Sequence, residues 1–568
     1  MSTSELGKAM PSHSERQNVT TSFVCELGGN MLYFIPAWYQ QDNWCENEQY
    51  WYSRRMRTEF DDTVKHIQLF HRSQAYPFKV MLLSFAPNFR HFLHRQSVFR
   101  APYWSCFDAI QEIRRKKIMT FSFHNLNWPK HIEFIYSPFV VNAQLHGEKY
   151  AQVEFGEDGN LIQVDMYQNG QLNRRNIYDD RGFVSSSIRY EDGIPMHQDY
   201  LTDKGIWKMR HFLTDGHVEI NQKIPTYLLE YNGEEHKNKF ARSSYSTMEQ
   251  VIQEVLSAYL ELVDERDLFC VALHGQHTNL LTNVLRNKKK IVSFFENRYD
   301  MKTASDNSLI HEADYIITDS REHLNKVRNL LGEDIHNITD ITPFDSRVDF
   351  GISQQLNVQK ILIPVDDMQE ETFEKLIQKL GEYLPSNENA RIHLFTRWAE
   401  MDRKRVLLEK TRYYLAKAGM ESDWAREEVK GVRENLLDAE DAVPVKFFVE
   451  QCVDELAVSK CIREQRLIID MRDFTRVYLR ISAISMGIPQ IVYKETQFVE
   501  HEQNGMVLKD LDKIPETIAF YLDNLTNWNE AMVSSYELGK KYTTRVLIEK
   551  WKEVIDFVGS DSNTPVGQ

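Results

Sequence analysis

Glycine is absent from residue 30 to residue 146, and the whole 568-residue chain holds only 23. Without glycine, a loop in that stretch cannot bring its amides close around a diphosphate. No P-loop, G-x-G-x-x-G turn or G-x-S-x-G elbow occurs elsewhere either. Apolar runs long enough to span a bilayer, about 18 residues, are also missing. The six cysteines (Cys25, Cys45, Cys106, Cys270, Cys452, Cys461) lack C-x-x-C spacing. In a chain of this size that pattern predicts reduced thiols in the cytosol. Positive charge is in deficit, with a formal net charge of −15. This excludes broad affinity for nucleic acid or anionic membrane, because phosphates are repelled at long range. The basic runs Arg114 to Lys117 and Arg286 to Lys290 are short and read as solvated helix ends or loops. Residues 1 to 30 lack the apolar core of a signal peptide and read as a disordered leader or a misassigned start. The stretch "LGGNM" even suggests a translated ribosome-binding site, with Gly28 and Gly29 encoded by GGA-GGT.

What is present is aromatic and then periodic. Residues 30 to 146 hold 25 of the chain's Phe, Tyr and Trp residues. Strand-like runs at Leu32 to Pro36, Lys79 to Phe85 and Glu133 to Tyr136 alternate with helical periodicity such as Asp62 to Phe70. That alternation predicts a parallel α/β layer. The aromatic density reads either as a bulky core or as an exposed surface for a protein or sugar. From 148 to 220 turn glycines recur at 159, 170, 182, 193, 205 and 216, at separations of 11 or 12. Asp or Asn precedes most of them, which predicts an antiparallel β-meander, either a binding platform or a spacer. The α/β pattern resumes near 225, with strands at 268 to 275, 290 to 297 and 313 to 320 and a helix at Arg321 to Leu331. A linker at 341 to 351 leads to a second α/β unit. Its strands are expected at 359 to 367, 391 to 398, 443 to 450, 466 to 473 and 488 to 493. Residues 405 to 440 read as charged and helical. A final helical stretch runs from Pro515 to Val558, before a disordered tail.

The expected architecture is α/β and GT-B-like, with two Rossmann-like domains. Residues 31–147 and 221–350 form the discontinuous first domain, and 148–220 form an extended antiparallel β-sheet insertion in it. Residues 351–525 form the second domain, 526–558 a C-terminal helix closing on the first, and 559–568 the tail. The stretch "DFTRVYLRISAISMGIPQIV" (473 to 492) resembles the nucleotide-sugar half of retaining GT-B glycosyltransferases, whose pattern is E-G-F-G-x4-E-A-x3-G-x-P-V-I and then N-G. Gly487, Pro489, Ile491, Val492 and the pair Asn504-Gly505 match its scaffold positions. Its reactive positions are changed. Ser482 stands where the second glutamate is expected, and Phe474 where the first is, with Asp473 one place away. A serine is a weaker, uncharged substitute for a carboxylate gripping sugar hydroxyls. Phe474 and Arg476 crowd the approach of a diphosphate to a helix N-terminus. Arg472, Arg476, Arg480 and Lys494 could still meet a phosphate, or serve only in salt links. These residues define a vestigial donor cleft.

Other candidates carry less. His274 with His277, and His91 with His94, have three-residue spacing but no acidic cluster, so structural roles are favoured over metal binding. Asp366-Asp367 follows a strand where an active site could sit, yet paired acids also cap helices.

The segments "MLYFIPAWYQQDNWCENEQYWY", "FDDTVKHIQLF", "LHRQSVFRAPYWSCFDAIQ" and "YDDRGFVSSSIRYEDGIPMHQDYL" resemble the first of the accessory secretory proteins. These serve the accessory Sec system of streptococci, lactobacilli and related bacteria. The resemblance spans residues 31 to about 555. It implies a cytoplasmic, non-catalytic subunit without metal or cofactor, recruited peripherally to the membrane translocon. Its implied partners are the second and third accessory secretory proteins, a glycosylated serine-rich-repeat adhesin and, directly or indirectly, the accessory Sec ATPase. The alternative is an active GT-B transferase, or a glycan reader, working on the same adhesins.

Overall fold

The computed structural model describes residues 30–39, 43–45, 60–119, 121–332, 337–427 and 443–560. The expectations for the leader, for "LGGNM" up to Gly29, for residues 428–440 and for the tail beyond Ser560 lie outside the described residues.

The first lobe is a seven-stranded parallel sheet. Its spatial order is Ile338–Asp340, Tyr315–Thr318, Lys289–Phe294, Leu268–Ala272, Leu32–Ile35, Phe78–Leu82, Tyr103–Ser105. Alternation decides which residues face which layer. Leu32 and Phe34 enter one apolar cluster, Tyr33 and Ile35 the other. Both faces are covered, as a parallel sheet requires. The aromatics of this region mostly resolve as core: Tyr33, Phe34, Trp38, Phe70, Phe89, Trp104 and Phe107 are all buried.

The second lobe is a six-stranded parallel sheet in the order Phe447–Gln451, Ala390–Thr396, Gln359–Pro364, Leu467–Asp470, Gln490–Val492, Gly505–Val507. Numbered along the chain this is 3-2-1-4-5-6, the doubly wound order. Ile361 and Ile363 pack to one side, Leu362 and Ile468 to the other.

Between the halves of the first lobe runs a ten-stranded antiparallel sheet. It begins at Ile132–Tyr136, not near residue 148, and the strand expected at Glu133 to Tyr136 belongs to it rather than to the parallel layer. Alternation cannot tell a parallel strand from an antiparallel one. The deciding contact is the hairpin that pairs Tyr136 with Val141. The turns behave as their residues dictate. Asn169 and Gly170 both have positive φ (53° and 75°), as do Asp192 and Gly193 (48° and 79°). That geometry matches two-residue hairpin turns. At its base the meander is bound by charge. Arg181 donates to Asp108 and to Asp179 at 2.7 Å, and Arg90 is paired with Asp180. All but Asp108 of these side chains are almost wholly buried.

The C-terminal segment differs from the expected single closing helix. Ile514–Leu522 and Leu525–Gly539 pack on the second lobe, where Trp528 and Ala531 join its core. Thr544–Gly559 crosses to the first lobe and inserts Trp551 against Phe34, His66 and Phe70. There Lys289 Nζ donates to the Gly559 carbonyl at 2.9 Å, and Gly559 lies beside Asn30. No helix among the described residues is long and apolar enough to cross a membrane.

Candidate functional site

In a doubly wound sheet the crevice opens at the carboxyl ends of the strands where the order reverses. In the second lobe these are Gln359–Pro364 and its parallel neighbour Leu467–Asp470. Asp470 ends the latter and is fully buried. It accepts from Arg472 Nε at 2.7 Å and Nη2 at 2.9 Å, and from Arg480 Nη2 at 2.7 Å. Burial pushes the Asp470 carboxyl up, but Arg472 and Arg480 outweigh it and hold it below the usual range. Arg480 also donates to Gln490 Oε1 at 3.2 Å. Two of the four basic candidates are therefore internal counter-ions, turned into the lobe.

The other two cross to the first lobe. Arg476 pairs with Glu296 and reaches Asp367 at 3.2 Å. Lys494 Nζ lies 3.2 Å from Glu322 Oε1 and 3.7 Å from Asp473 Oδ1. Thr475 Oγ1 donates to Glu322 at 3.0 Å, and Lys326 pairs with the same carboxylate. Burial raises the Glu322 carboxyl, and Lys326 and Lys494 more than reverse the shift. Burial raises Glu296, which Arg476 only partly offsets. Phe474 sits between two guanidiniums, with Arg472 and Arg476 each 4.9 Å from its ring centroid. Asp473 is largely exposed, and Ser482 is half-buried on the helix Val477–Met486.

The remaining carboxylate, Asp366, is saturated. It accepts from Thr396 Oγ1 at 2.5 Å, the Arg397 backbone N–H at 2.7 Å and Arg403 Nη2 at 3.3 Å. Arg397 also stacks 3.7 Å over Phe60 of the first lobe. The structure thus brings Arg472, Asp473, Phe474, Arg476, Arg480, Ser482 and Lys494 onto one strand end, the loop and helix after it, and the next strand end. It also supplies what sequence reasoning missed: Glu296, Glu322 and Asp470 as their partners. Glu296 and Arg476 are 180 residues apart, so no local signal could join them.

The positions that match the transferase pattern serve the chain itself. Gly487 ends its helix at φ 68°, where a Cβ would lie 2.6 Å from Met532 Cγ. At Gly505 a Cβ would lie 2.1 Å from the Gln490 carbonyl oxygen. Asn504 accepts from the Glu500 backbone at 2.7 Å and donates to the Phe498 carbonyl at 3.1 Å.

The histidines have partners of their own. His274 caps the helix Gly275–Val284 by accepting from the Gln276 backbone at 3.2 Å. His277 is wholly buried. Burial keeps the ring neutral, pushing it down to about 3; Nδ1 then donates to the Ala272 carbonyl at 2.6 Å, which leaves Nε2 to accept from Tyr39 Oη at 2.7 Å. His91 faces Asp158 at 3.4 Å.

Two doubly wound lobes with the crevice between them, and an extended sheet inserted in the first, define a GT-B-type chain. The crystal structure of the pneumococcal O-GlcNAc transferase GtfA in complex with UDP and GlcNAc shares this fold. Its TM-score is 0.66 at 13% identity, over 94% of this chain and 100% of that one. The family is more specific. Residues 31–557 match the profile described as accessory Sec system protein, accessory secretory protein 1, and the chain belongs to that family. The Streptococcus gordonii member is 31% identical over 540 residues, covering 93% of this chain and 100% of the relative. The crystal structure of accessory secretory proteins 1, 2 and 3 of Streptococcus pneumoniae contains a chain 29% identical to this one. Its TM-score is 0.75, over 93% of this chain and 99% of that one.

Proposed function

We propose that this chain is a non-catalytic binding and scaffold subunit of a cytoplasmic accessory secretory complex. In this reading it works with the second and third accessory secretory proteins. The complex delivers glycosylated serine-rich-repeat adhesins to the accessory Sec ATPase and translocon, recruited peripherally to the membrane. One observation carries this reading: the basic side chains of the donor crevice are already held by carboxylates of the chain itself. A leaving diphosphate needs preorganised cations free to meet its developing charge. Here Arg476 and Lys494 are bound to Glu296 and Glu322, while Arg472 and Arg480 are bound to Asp470. At Ser482 no acid is available to grip a sugar. The partner assignment is supported by the S. pneumoniae structure of accessory secretory proteins 1, 2 and 3. The parallel lobes and the meander divide the labour: the lobes keep the shell rigid, and the long sheet offers the surface.

The test is an assay of the purified chain, alone and with its sister proteins, against common nucleotide-sugars, beside affinity capture from the native cell. The expected result is neither hydrolysis nor transfer, no heat of binding with UDP-sugars up to millimolar, and co-purification of the sister proteins. Turnover that disappears in Arg476→Ala would establish the transferase reading instead. Preferential binding of glycosylated over bare adhesin repeats, lost in the same variant, would establish a glycan reader.

A further inference from the structure

At the outer edge of the second sheet, Glu450 on the strand Phe447–Gln451, Cys452 just after it and Cys461 on the helix Glu455–Arg463 converge. Their Oε and two Sγ atoms all lie within 4.8 Å of one another. We propose that these three residues form a site for a thiophilic divalent cation, with Zn²⁺ the best match and a water as fourth ligand.

Three features carry the assignment. First, the donor set is two thiols and one carboxylate, a composition that suits zinc over magnesium or calcium. In a tetrahedral site, Zn–S bonds of about 2.3 Å and Zn–O bonds of about 2.0–2.2 Å place neighbouring ligand atoms under about 4 Å apart. The three atoms need only a small inward shift. Second, an outer partner is in place: His393 Nδ1 lies 2.8 Å from Glu450 Oε1, and ligating carboxylates are held by such hydrogen bonds. His393 is itself 4% exposed, and its Nε2 has no hydrogen-bond partner. Third, Lys360, whose charge reaches Glu450 and Cys461, is ion-paired with Glu464 at 2.6 Å, which offsets part of its repulsion of an incoming cation. As the ion binds, each thiol gives its proton to solvent, and one dication replaces two protons.

Such an ion would staple the strand end to a helix whose first residue, Glu455, pairs with Lys65 of the first lobe at 2.6 Å. The site therefore stiffens the contact between lobes.

The experiment loads the full chain with Co²⁺ under reducing conditions, removes excess, and records the absorption spectrum. Zn²⁺ loading and metal analysis run in parallel. The expected result is one ion per chain, a thiolate-to-cobalt charge-transfer band, and a melting temperature that rises with Zn²⁺. Glu450→Gln, whose side chain is 35% exposed and whose amide oxygen can still accept from His393 Nδ1, removes the ligand charge and should weaken Zn²⁺ affinity. Cys452→Ser and Cys461→Ser should each abolish the band and the thermal shift. A wild-type chain without the band overturns the proposal. So does a band that survives in both serine variants, or a Glu450→Gln affinity equal to wild type.

Discussion

At the residue scale, the determining groups are buried charges and imidazoles whose partners are far off in the chain. Asp470 compensates two arginines, so Asp470→Asn leaves two buried guanidiniums without a counter-charge. A loss of about 3–5 kcal/mol is expected in urea unfolding. The pH dependence follows from the buried histidines. Burial pushes His277 down to about 3 and His66 down to about 4. Their neutral rings are favoured by the fold, so their contribution is complete above the unfolded value near 6.5. It is lost as pH falls toward those folded values. Asp61, raised by burial and by Asp62 to about 6, works in the opposite direction between pH 6 and 4 and cancels one of the two. From these three groups together, stability falls on acidification with a slope of up to about 1.4 kcal/mol per pH unit. His277→Leu should flatten that slope in urea titrations from pH 7 to 4, although the variant starts lower because Tyr39 Oη loses its acceptor. Of these residues, the sequence singled out His277, Arg472 and Arg480 with structural roles in view. Their acids escaped notice because hydrogen bonds of this kind have no sequence periodicity.

At the element scale, what was legible was whatever depended on local chemistry. Turn glycines preceded by Asn or Asp announced the hairpins, and apolar residues at i, i+3, i+4 and i+7 (Phe373, Leu376, Ile377, Leu380) mark the helix Glu370–Tyr383. What escaped was short or settled by distant pairing. The edge strands Ile338–Asp340 and Tyr103–Ser105 have three residues each. The start of the meander at Ile132 is marked only by its partner strand. The C-terminal helices look alike in sequence, yet Trp528 belongs to one lobe and Trp551 to the other. Trp551→Ala is expected to cost about 3–5 kcal/mol, read as a lowered denaturation midpoint. Arg181 ties the meander to the first lobe. Arg181→Ala leaves the buried Asp179 carboxylate with Arg90 alone, at 3.4 Å, and should cost up to a similar amount. Limited proteolysis should then cut first within 119–220, ahead of the parallel sheets.

At the scale of the whole molecule, the two lobes are held by ion pairs, ring contacts and a shared C-terminal segment. Phe60 meets Tyr478 at 4.7 Å between ring centroids, and Phe344 meets it at 5.2 Å. The double variant Glu296→Gln, Glu322→Gln removes the first-lobe acids that hold Arg476 and Lys494 across the crevice. It is expected to lower stability by about 1.5–3 kcal/mol for each bond lost. Small-angle scattering should also give it a larger radius of gyration than the parent chain. Domain closure around a substrate is a common step in enzymes; here the crevice is bridged by the protein's own groups.

The last helix brings Gly559 back to Asn30, so the first and last described residues lie at one corner of the first lobe. A short tether between residues 560 and 30 would close the backbone into a ring without disturbing either sheet. Labels or purification handles fused at either end would share that corner, leaving the crevice and the long sheet open to whatever docks there.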